Sequence, residues 1–265
     1  MMEVIGLDAL VRAWIEADIE PSVDGLATAV SQCQVDAGWR TDEELVLLDD
    51  SRMDGTVFGT PFLSSLSDQE ASVALAAITR LLLARGEIVL DDSGEARVLG
   101  PVALIDSFLR QVDRQATVEA RREDQTRTLV FHRAGELSLI EEVLADGLHH
   151  FVFVSRLDEL QALIDIASDD ADWGASPLEL IERTSSDPML VAMLEEVQGA
   201  SSTATLISRI TRKAVLEGIV DGPELAMTLY AGTAGCVSFE GFEGDVVMRG
   251  ISRDGIRGHL ADVLG

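Results

Sequence analysis

Three histidines in one stretch of the chain have the clearest potential for chemistry. His149 and His150 are adjacent, and His132 lies one predicted strand hairpin earlier. Neighbouring residues of a strand point to opposite faces of its sheet, so the adjacent pair cannot bind one metal ion together. We expect one of the two to pack in the sheet and the other to face outwards. His132 could approach either and share a carboxylate such as Glu141, which would form a metal site or the acid–base groups of an enzyme.

A predicted hairpin at residues 117–133 carries the main concentration of positive charge. Its four arginines are Arg121, Arg122, Arg127 and Arg133, with Glu119, Glu123 and Asp124 interleaved. Opposite charges on neighbouring strands stabilise a sheet through cross-strand pairs, which is one interpretation of this pattern. The other is a docking patch for an acidic partner. Because the hairpin is also the longest candidate for an exposed strand pair, we take the four arginines as partner-binding candidates.

The common sequence signatures of enzymes are absent from the chain. It contains no nucleophile elbow, phosphate-binding loop, dinucleotide-binding glycine motif or zinc-binding helix motif. The acidic group at Asp169, Asp170 and Asp172 lacks the glycine and terminal glutamate of a calcium-binding EF-hand loop, so a solvated turn is expected. Cys33 and Cys236 have no recognisable catalytic companions, and so few cysteines are typical of a reducing compartment. We assign no catalytic residue, metal ligand or cofactor.

The charge balance excludes whole classes of partner. The 265 residues include 47 acidic and 20 basic side chains, for a formal net charge of −27. Nucleic acids and anionic membranes are bound by clustered lysine and arginine, so neither is expected as the main partner. The longest apolar stretch, residues 73–84, is interrupted by Thr79 and Arg80 and is too short to cross a bilayer. With no secretory signal pattern, we predict a cytoplasmic protein without membrane insertion.

The first 66 residues are predicted to be mostly helical. Leu7, Leu10, Val11 and Trp14 recur with the spacing of one helix face. A second helix is expected from Val23, and Thr41 with Glu44 has the pattern of a capping box. A further capping box, Ser67 with Glu70, starts a long helix that ends at Gly86.

A hairpin is predicted directly after the long helix, with strands Glu87–Leu90 and Ala96–Leu99. A helix followed by such a hairpin is similar to the recognition helix and wing of a winged-helix domain. This leaves a winged-helix regulator as one alternative function, although the acidic charge disfavours DNA reading.

From Pro101 onwards, one pattern of elements occurs twice. The first copy has a helix at Val102–Val112, strands at Thr117–Arg121, Thr128–His132, Leu137–Val143 and His149–Val154, and a closing helix at Leu157–Ile166. The second has a helix at Pro188–Gln198, strands at Thr203–Ile210, Lys213–Glu217, Leu225–Tyr230, Cys236–Phe239 and Val246–Gly250, and a last helix at Asp254–Leu264. Ser155-Arg156 and Ser252-Arg253 follow the last strand of each copy. We interpret this order as a duplication.

The duplication predicts an α+β fold. Its two halves would be related by a pseudo-twofold axis, each with mainly antiparallel sheet flanked by helices, because neither half alone covers both faces of its sheet. The predicted organisation is an N-terminal helical segment at 1–66, a first half at 67–168 and a second half at 169–265.

Residues 81–166 resemble the EspG family of type VII secretion chaperones. The shared features are a helix ending Ala84-Arg85-Gly86, a short helix, and four strands between Thr117 and Val154; the glycine-rich strand and last helix at Val246–Leu264 are also similar. The resemblance implies a pseudo-twofold α/β fold and a cytosolic, non-enzymatic chaperone for secreted helical-hairpin substrates of the PE–PPE type. It carries no binding residue over to this chain.

Two functions from different classes therefore remain open alongside the regulator. The first is a non-enzymatic protein-binding module, either a chaperone of this kind or another, whose strong negative charge favours solubility. The second is an enzyme whose site is built from dispersed residues near His132, His149 and His150. A pocket with convergent ionisable groups would favour the enzyme, whereas packed and inaccessible histidines would count against it.

Overall fold

The computed structural model describes residues 3–48, 60–90, 94, 96–122, 125–174, 181–184, 188–211, 225–233, 235–242 and 245–264. Its helices are α1 (Leu7–Glu16), α2 (Val23–Val30), α3 (Asp42–Leu48), α4 (Asp68–Arg85), α5 (Gly100–Leu109), α6 (Arg156–Ser168), α7 (Pro188–Gly199) and α8 (Ile256–Leu264). A short 3-10 turn covers Leu63–Ser65. None of the described helices is long and apolar enough to cross a membrane.

The strands are β1 (Val4–Gly6), β2 (Gln34–Thr41), β3 (Ile88–Leu90), β4 (Ala96–Val98), β5 (Arg114–Arg122), β6 (Gln125–Ala134), β7 (Leu137–Val143), β8 (Leu148–Ser155), β9 (Ile181–Thr184), β10 (Ser201–Thr211), β11 (Leu225–Gly232), β12 (Gly235–Phe242) and β13 (Asp245–Ile251). Their pairing is mainly antiparallel and helices flank them, so the predicted α+β class is confirmed.

The chain forms two compact units, each made of segments that are distant in sequence. The first unit comprises residues 1–113 and 130–156, and the second comprises residues 114–129 and 157–265. The first unit therefore combines the predicted N-terminal segment with strands from the middle of the chain.

In the first unit the strands lie in the order β1, β2, β8, β7 and then the second part of β6. The β1–β2 pair is parallel, and β2–β8 and β7–β8 are antiparallel. Helices α1, α2 and α5 bury their apolar faces against one side of these strands. The resulting core includes Leu7, Leu26, Ile105, Phe108, Phe151 and Phe153, all at most 2% exposed.

The N-terminal segment contains two strands that the sequence analysis did not predict. Strand β1 is only three residues long, and β2 has a register shift between Asp36 and Gly38 where it pairs with β8. Gly38 takes a φ of +79°, a conformation that glycine adopts without strain. The shift interrupts the alternation of apolar and polar residues by which a strand is recognised.

Both capping boxes predicted from the sequence are present in the structure. The Thr41 amide donates to Glu44 Oε2 at 3.0 Å, and the Glu44 amide donates back to Thr41 Oγ1 at 3.4 Å. Ser67 and Glu70 form the second capping box at the start of α4, where hydrogen bonds from Ser67 lower the pKa of the Glu70 carboxyl. Gly86 ends α4 with a φ of +71°. Leu82 is the one residue of α4 that is buried.

In the second unit the antiparallel strands lie in the order β5, β10, β11, β12, β13 and β9. The structure contains the first predicted copy as α5, β5–β8 and α6. It contains the two helices of the second copy as α7 and α8, and four of its five predicted strands as β10–β13. The predicted strand Lys213–Glu217 lies outside the described residues. Residues 181–184 form strand β9, which the sequence analysis did not predict. The pseudo-twofold axis stays a prediction.

Gly147, in the turn between β7 and β8, is a position where a side chain should not fit. It has a φ of +80°, and an added Cβ would overlap Phe62 Cβ and lie 3.1 Å from Asp42 Oδ2. We expect Gly147→Ala to lose about 1–2 kcal/mol from the left-handed backbone and about 1–3 kcal/mol more from overpacking. The matched control is Gly86→Ala, which has a φ of +71° but open space around the added Cβ. Urea unfolding of both variants checks this, and equal losses would contradict the packing argument.

Candidate protein-binding site

The register of β5, β10 and β11 places charged and apolar side chains on one face of the second unit. Leu206 of β10 lies directly opposite Glu119 of β5 and Thr228 of β11. One step along, Ala204 lies opposite Arg121 and Tyr230. Residues directly opposite one another on neighbouring strands share a face of the sheet. Arg121 and Glu119 therefore border the same surface as Leu206 and Tyr230.

Helix α7 covers only part of this face. Beneath it lies a small core of Val197, Val237, Phe239 and Met248, against which Met193 and Leu194 pack. Beside the helix the face forms an open groove of about 400 Å³. We call this the α7 groove, and its lining includes Val191, Leu194, Leu206, Tyr230, Phe239 and Val246. Val191 is 48% exposed and Leu206 39% exposed, so water reaches apolar side chains that the fold leaves without cover.

Two contacts hold the wall of the α7 groove in place. The amide Nε2 of Gln198, on α7, donates to the Tyr230 hydroxyl at 2.9 Å. The Tyr230 ring meets the Phe239 ring edge to face, with centroids 5.5 Å apart and an interplanar angle of 88°. Such pre-ordered aromatic side chains bind a partner with little loss of conformational entropy. The aromatic wall of the α7 groove is therefore already ordered before a partner binds.

A charged side chain borders the α7 groove. Arg121 of β5 lies on the same face of the sheet as Leu206, and its side chain is 67% exposed. Arg121 Nη2 lies 3.6 Å from Glu119 Oε2. Because both side chains are exposed, this ion pair restrains the arginine only weakly. An apolar centre with a charged edge is the usual composition of a protein-binding surface.

Arg122 and Arg127 line a different feature, on the opposite face of the same strands. Arg122 lies opposite Thr203 in the register, one residue from Arg121. The cavity there has a volume of about 490 Å³ and is lined mostly by polar side chains. Arg122 forms an ion pair of 2.7 Å with Asp170 and lies 3.8 Å from Asp169, and the Thr203 hydroxyl also donates to Asp170. Three carboxylates, those of Asp165, Asp169 and Asp170, line the cavity beside the two arginines, so its charge does not favour an anion.

Arg133 lies in the first unit and is only 6% exposed. Its backbone carbonyl accepts a hydrogen bond from the Asp113 amide at 3.0 Å. A partner could not reach the Arg133 side chain. The four predicted arginines thus separate into Arg121 beside the α7 groove, Arg122 and Arg127 in the polar cavity, and Arg133 in the protein interior.

The histidines lie as the strand geometry predicts. His149 is fully buried, while His150 on the opposite face keeps a quarter of its side chain exposed and bonds to Asp36 at 3.0 Å. His132 and His149 both contact Glu141, the carboxylate named from the sequence, and all three are 0% exposed. A substrate could not reach them. Among the described residues, no group of three or more histidine, cysteine, aspartate or glutamate side chains has the arrangement of a metal site.

The other cysteine and histidine side chains of the chain are Cys33, Cys236 and His259. Both cysteines are free thiols. Burial raises the pKa of Cys33, and raises that of Cys236 to about 12, so neither is an activated nucleophile. His259 packs 3.4 Å from Glu240, and burial lowers its pKa.

Sequence reasoning did not identify the α7 groove. Leu206, Tyr230, Phe239 and Val246 lie on one face of four neighbouring strands. Alternation of apolar residues along such strands predicts only a buried face. Whether such a face is covered depends on where α7 packs, and no local pattern carries that information.

No protein-family model and no curated protein sequence matches the chain. Among solved structures, the chain is similar to the Mycobacterium tuberculosis type VII secretion system chaperone EspG5, determined in complex with a PE25–PPE41 dimer. The two are 12% identical, and the superposition has a TM-score of 0.49 over 85% of this chain and 95% of that chain.

Proposed function

We propose that this chain is a non-enzymatic protein-binding module that binds a helical partner in the α7 groove. The observation that carries the proposal is the groove itself, an open apolar surface of about 400 Å³ beside a helix that covers only part of its sheet. Isolated exposed apolar residues are ordinary, but a contiguous apolar groove with a charged border is typical of an interaction site.

The chemistry of the groove favours an amphipathic helix as its occupant. Leu206, Val191 and the Tyr230 ring offer an apolar surface between α7 and the strands, which suits the apolar face of an amphipathic helix. Arg121 at one border suits an acidic group of the partner, because its guanidinium is exposed and only loosely paired. A helix with one apolar face and an acidic residue beside it satisfies both features.

The finer proposal is a cytosolic chaperone for secreted helical-hairpin substrates of a type VII secretion system. It is supported by the resemblance of residues 81–166 and 246–264 to the EspG family, and by a groove whose chemistry fits a helical ligand. Holding an apolar helix in such a groove would keep it from aggregating before export.

A direct titration tests this function. The purified chain is titrated calorimetrically with purified helical-hairpin pairs of the PE–PPE type from the same host, and complexes are sized by light scattering. We expect a saturable complex with a Kd at or below about 1 µM. Absence of a complex with every pair at about 100 µM would reject the chaperone function.

A charge reversal tests the proposed border of the site. Arg121→Glu should slow association and reduce its salt dependence, because rim charges act mainly on the association rate. Arg127→Glu on the opposite face is the matched control and should leave the rate unchanged. Equal effects of the two variants would show that the partner does not bind at the α7 groove.

An enzyme at the histidines is not proposed. The groups that would have to act, His132, His149 and Glu141, are 0% exposed, whereas a catalytic group must touch its substrate.

A further inference from the structure

Four ionisable side chains form a continuous hydrogen-bonded chain inside the first unit. His149 Nε2 lies 2.7 Å from Asp42 Oδ1, and His149 Nδ1 lies 2.6 Å from Glu141 Oε1. The other Glu141 oxygen lies 2.5 Å from His132 Nε2. The four residues come from α3, β6, β7 and β8, and all are 0% exposed. We call them the buried cluster.

The buried cluster also anchors a loop segment. The second oxygen of Asp42, Oδ2, accepts hydrogen bonds from the backbone amides of Phe62 at 2.7 Å and Leu63 at 2.9 Å. These amides begin the short turn at Leu63–Ser65. The Asp42 amide itself donates to the Gly147 carbonyl at 3.0 Å. The cluster therefore joins the turn at 62–65 and the start of α3 to the strands of the first unit.

A count of hydrogen atoms sets a minimum number of protons in the buried cluster. Its three nitrogen–oxygen contacts each need one hydrogen. At neutral pH, two ionised carboxylates and two neutral imidazoles carry only two hydrogens in total on these groups. One contact would then place two lone pairs against each other at hydrogen-bond distance, without solvent. At least one hydrogen is missing whichever tautomers the imidazoles adopt. Both nitrogens of His149 lie in contacts, and His132 supplies a hydrogen to its contact only when Nε2 carries it.

We propose that the buried cluster is a proton-binding site. It holds one proton more than the same four side chains hold in an unfolded chain near pH 7, shared among Asp42, His149 and Glu141, and this proton fastens the 62–65 turn to the sheet. With it, all three contacts are satisfied whether His149 is an imidazolium or one carboxylate is protonated. The proposal is independent of the α7 groove and of what binds there.

The charged groups near the buried cluster do not remove this requirement. Arg40 of β2 lies opposite His149 in the register, and its Nη1 donates to the Trp39 carbonyl at 3.2 Å. Its positive charge opposes uptake of a proton but supplies no hydrogen to the three contacts. On α3, Glu44 accepts from the Thr41 amide and lies 3.8 Å from Arg85. The described part of the 60–65 segment has no ionisable side chain.

The sign of the pH dependence follows from the count. Above about pH 7 the unfolded chain has released the imidazole protons, whereas the folded chain retains the extra one. Unfolding then releases one proton, so the unfolding equilibrium constant rises about tenfold for each pH unit. This additional stability is complete below the unfolded histidine pKa, about 6.5, and is lost as the pH rises until the folded cluster gives up its proton.

Glu141→Gln tests the proposal because the amide supplies the missing hydrogen. The NH₂ group of glutamine can donate to His149 Nδ1 while its oxygen accepts from His132, and neutral His149 still donates to Asp42. We expect the variant to fold. We compare unfolding equilibrium constants measured in urea between pH 7 and 9. The ratio of the constant of the unchanged protein to that of the variant should rise about tenfold for each pH unit.

His150→Gln is the matched control, since it removes a histidine from the same strand on the opposite face. It should keep the full pH dependence. Asp42→Asn supplies the same hydrogen from the other end of the cluster and serves as a second test should Glu141→Gln not fold. Equal pH dependence of the unchanged protein and the variants that supply a hydrogen would overturn the proposal.

Discussion

Leu206→Glu should weaken partner binding by at least about 100-fold while leaving the thermal unfolding temperature of the protein unchanged. Leu206 is already 39% exposed, so the fold tolerates a polar side chain there. In a complex, the new carboxylate would be buried against the apolar face of the bound helix. An unpaired charge without water is costly, and a central apolar contact contributes about 2–4 kcal/mol to binding. Calorimetric titration against the helical partner gives the ratio of the two Kd values.

Leu157→Glu is the matched control for this experiment. It makes the same chemical change in the second unit at a leucine that is 71% exposed and does not line the α7 groove. We expect it to alter the Kd by less than about twofold, as surface substitutions away from a binding site usually do. Comparable weakening by both variants would mean that general surface charge, rather than the groove, governs binding.

Phe108→Ala should have the largest effect on stability. Phe108 lies on α5, is 0% exposed, and meets the Phe153 ring edge to face with centroids 5.2 Å apart. Removing a buried phenylalanine side chain costs about 3–5 kcal/mol through lost burial and the cavity left behind. This is a large share of the roughly 5–15 kcal/mol that holds a typical domain folded. Urea unfolding, followed by circular dichroism, measures the loss.

Ile15→Ala provides the comparison for the core substitution. Ile15 lies on α1 in the same unit but is 62% exposed. Its loss should cost no more than about 0.5 kcal/mol. A loss for Phe108→Ala as small as this would contradict the placement of α5 against the strands.

The elements best predicted from the sequence were those with local signals at both ends. Strand β7 has the predicted bounds, Leu137–Val143, because glycines at positive φ, Gly135 and Gly147, form the turns on either side. Helix α4 begins at the predicted capping box and ends at Gly86 for the same reason. Turn and cap residues fix boundaries through backbone conformation and hydrogen bonds, which act over only a few residues.

What the sequence could not predict depends on contacts between distant residues. Glu141 lies on a predicted hairpin adjoining those of the histidines, so the sequence identifies it only as a carboxylate that His132 could share with His149 or His150. Asp42, 107 residues from His149, could be recognised only as part of a helix start. The α7 groove likewise depends on which part of a sheet face a helix leaves uncovered. Arg133 shows the same limit, because its burial follows from the packing of the first unit.

The central claim, that the α7 groove holds a helical partner, is tested most directly by amide hydrogen exchange on the chain alone and in complex with its helical partner. We predict slower exchange on binding in α7 and in β10–β13, including the segments around Leu206 and Tyr230, with the α1–α2 region unchanged. Slower exchange elsewhere, with α7 and these strands unaffected, would contradict it.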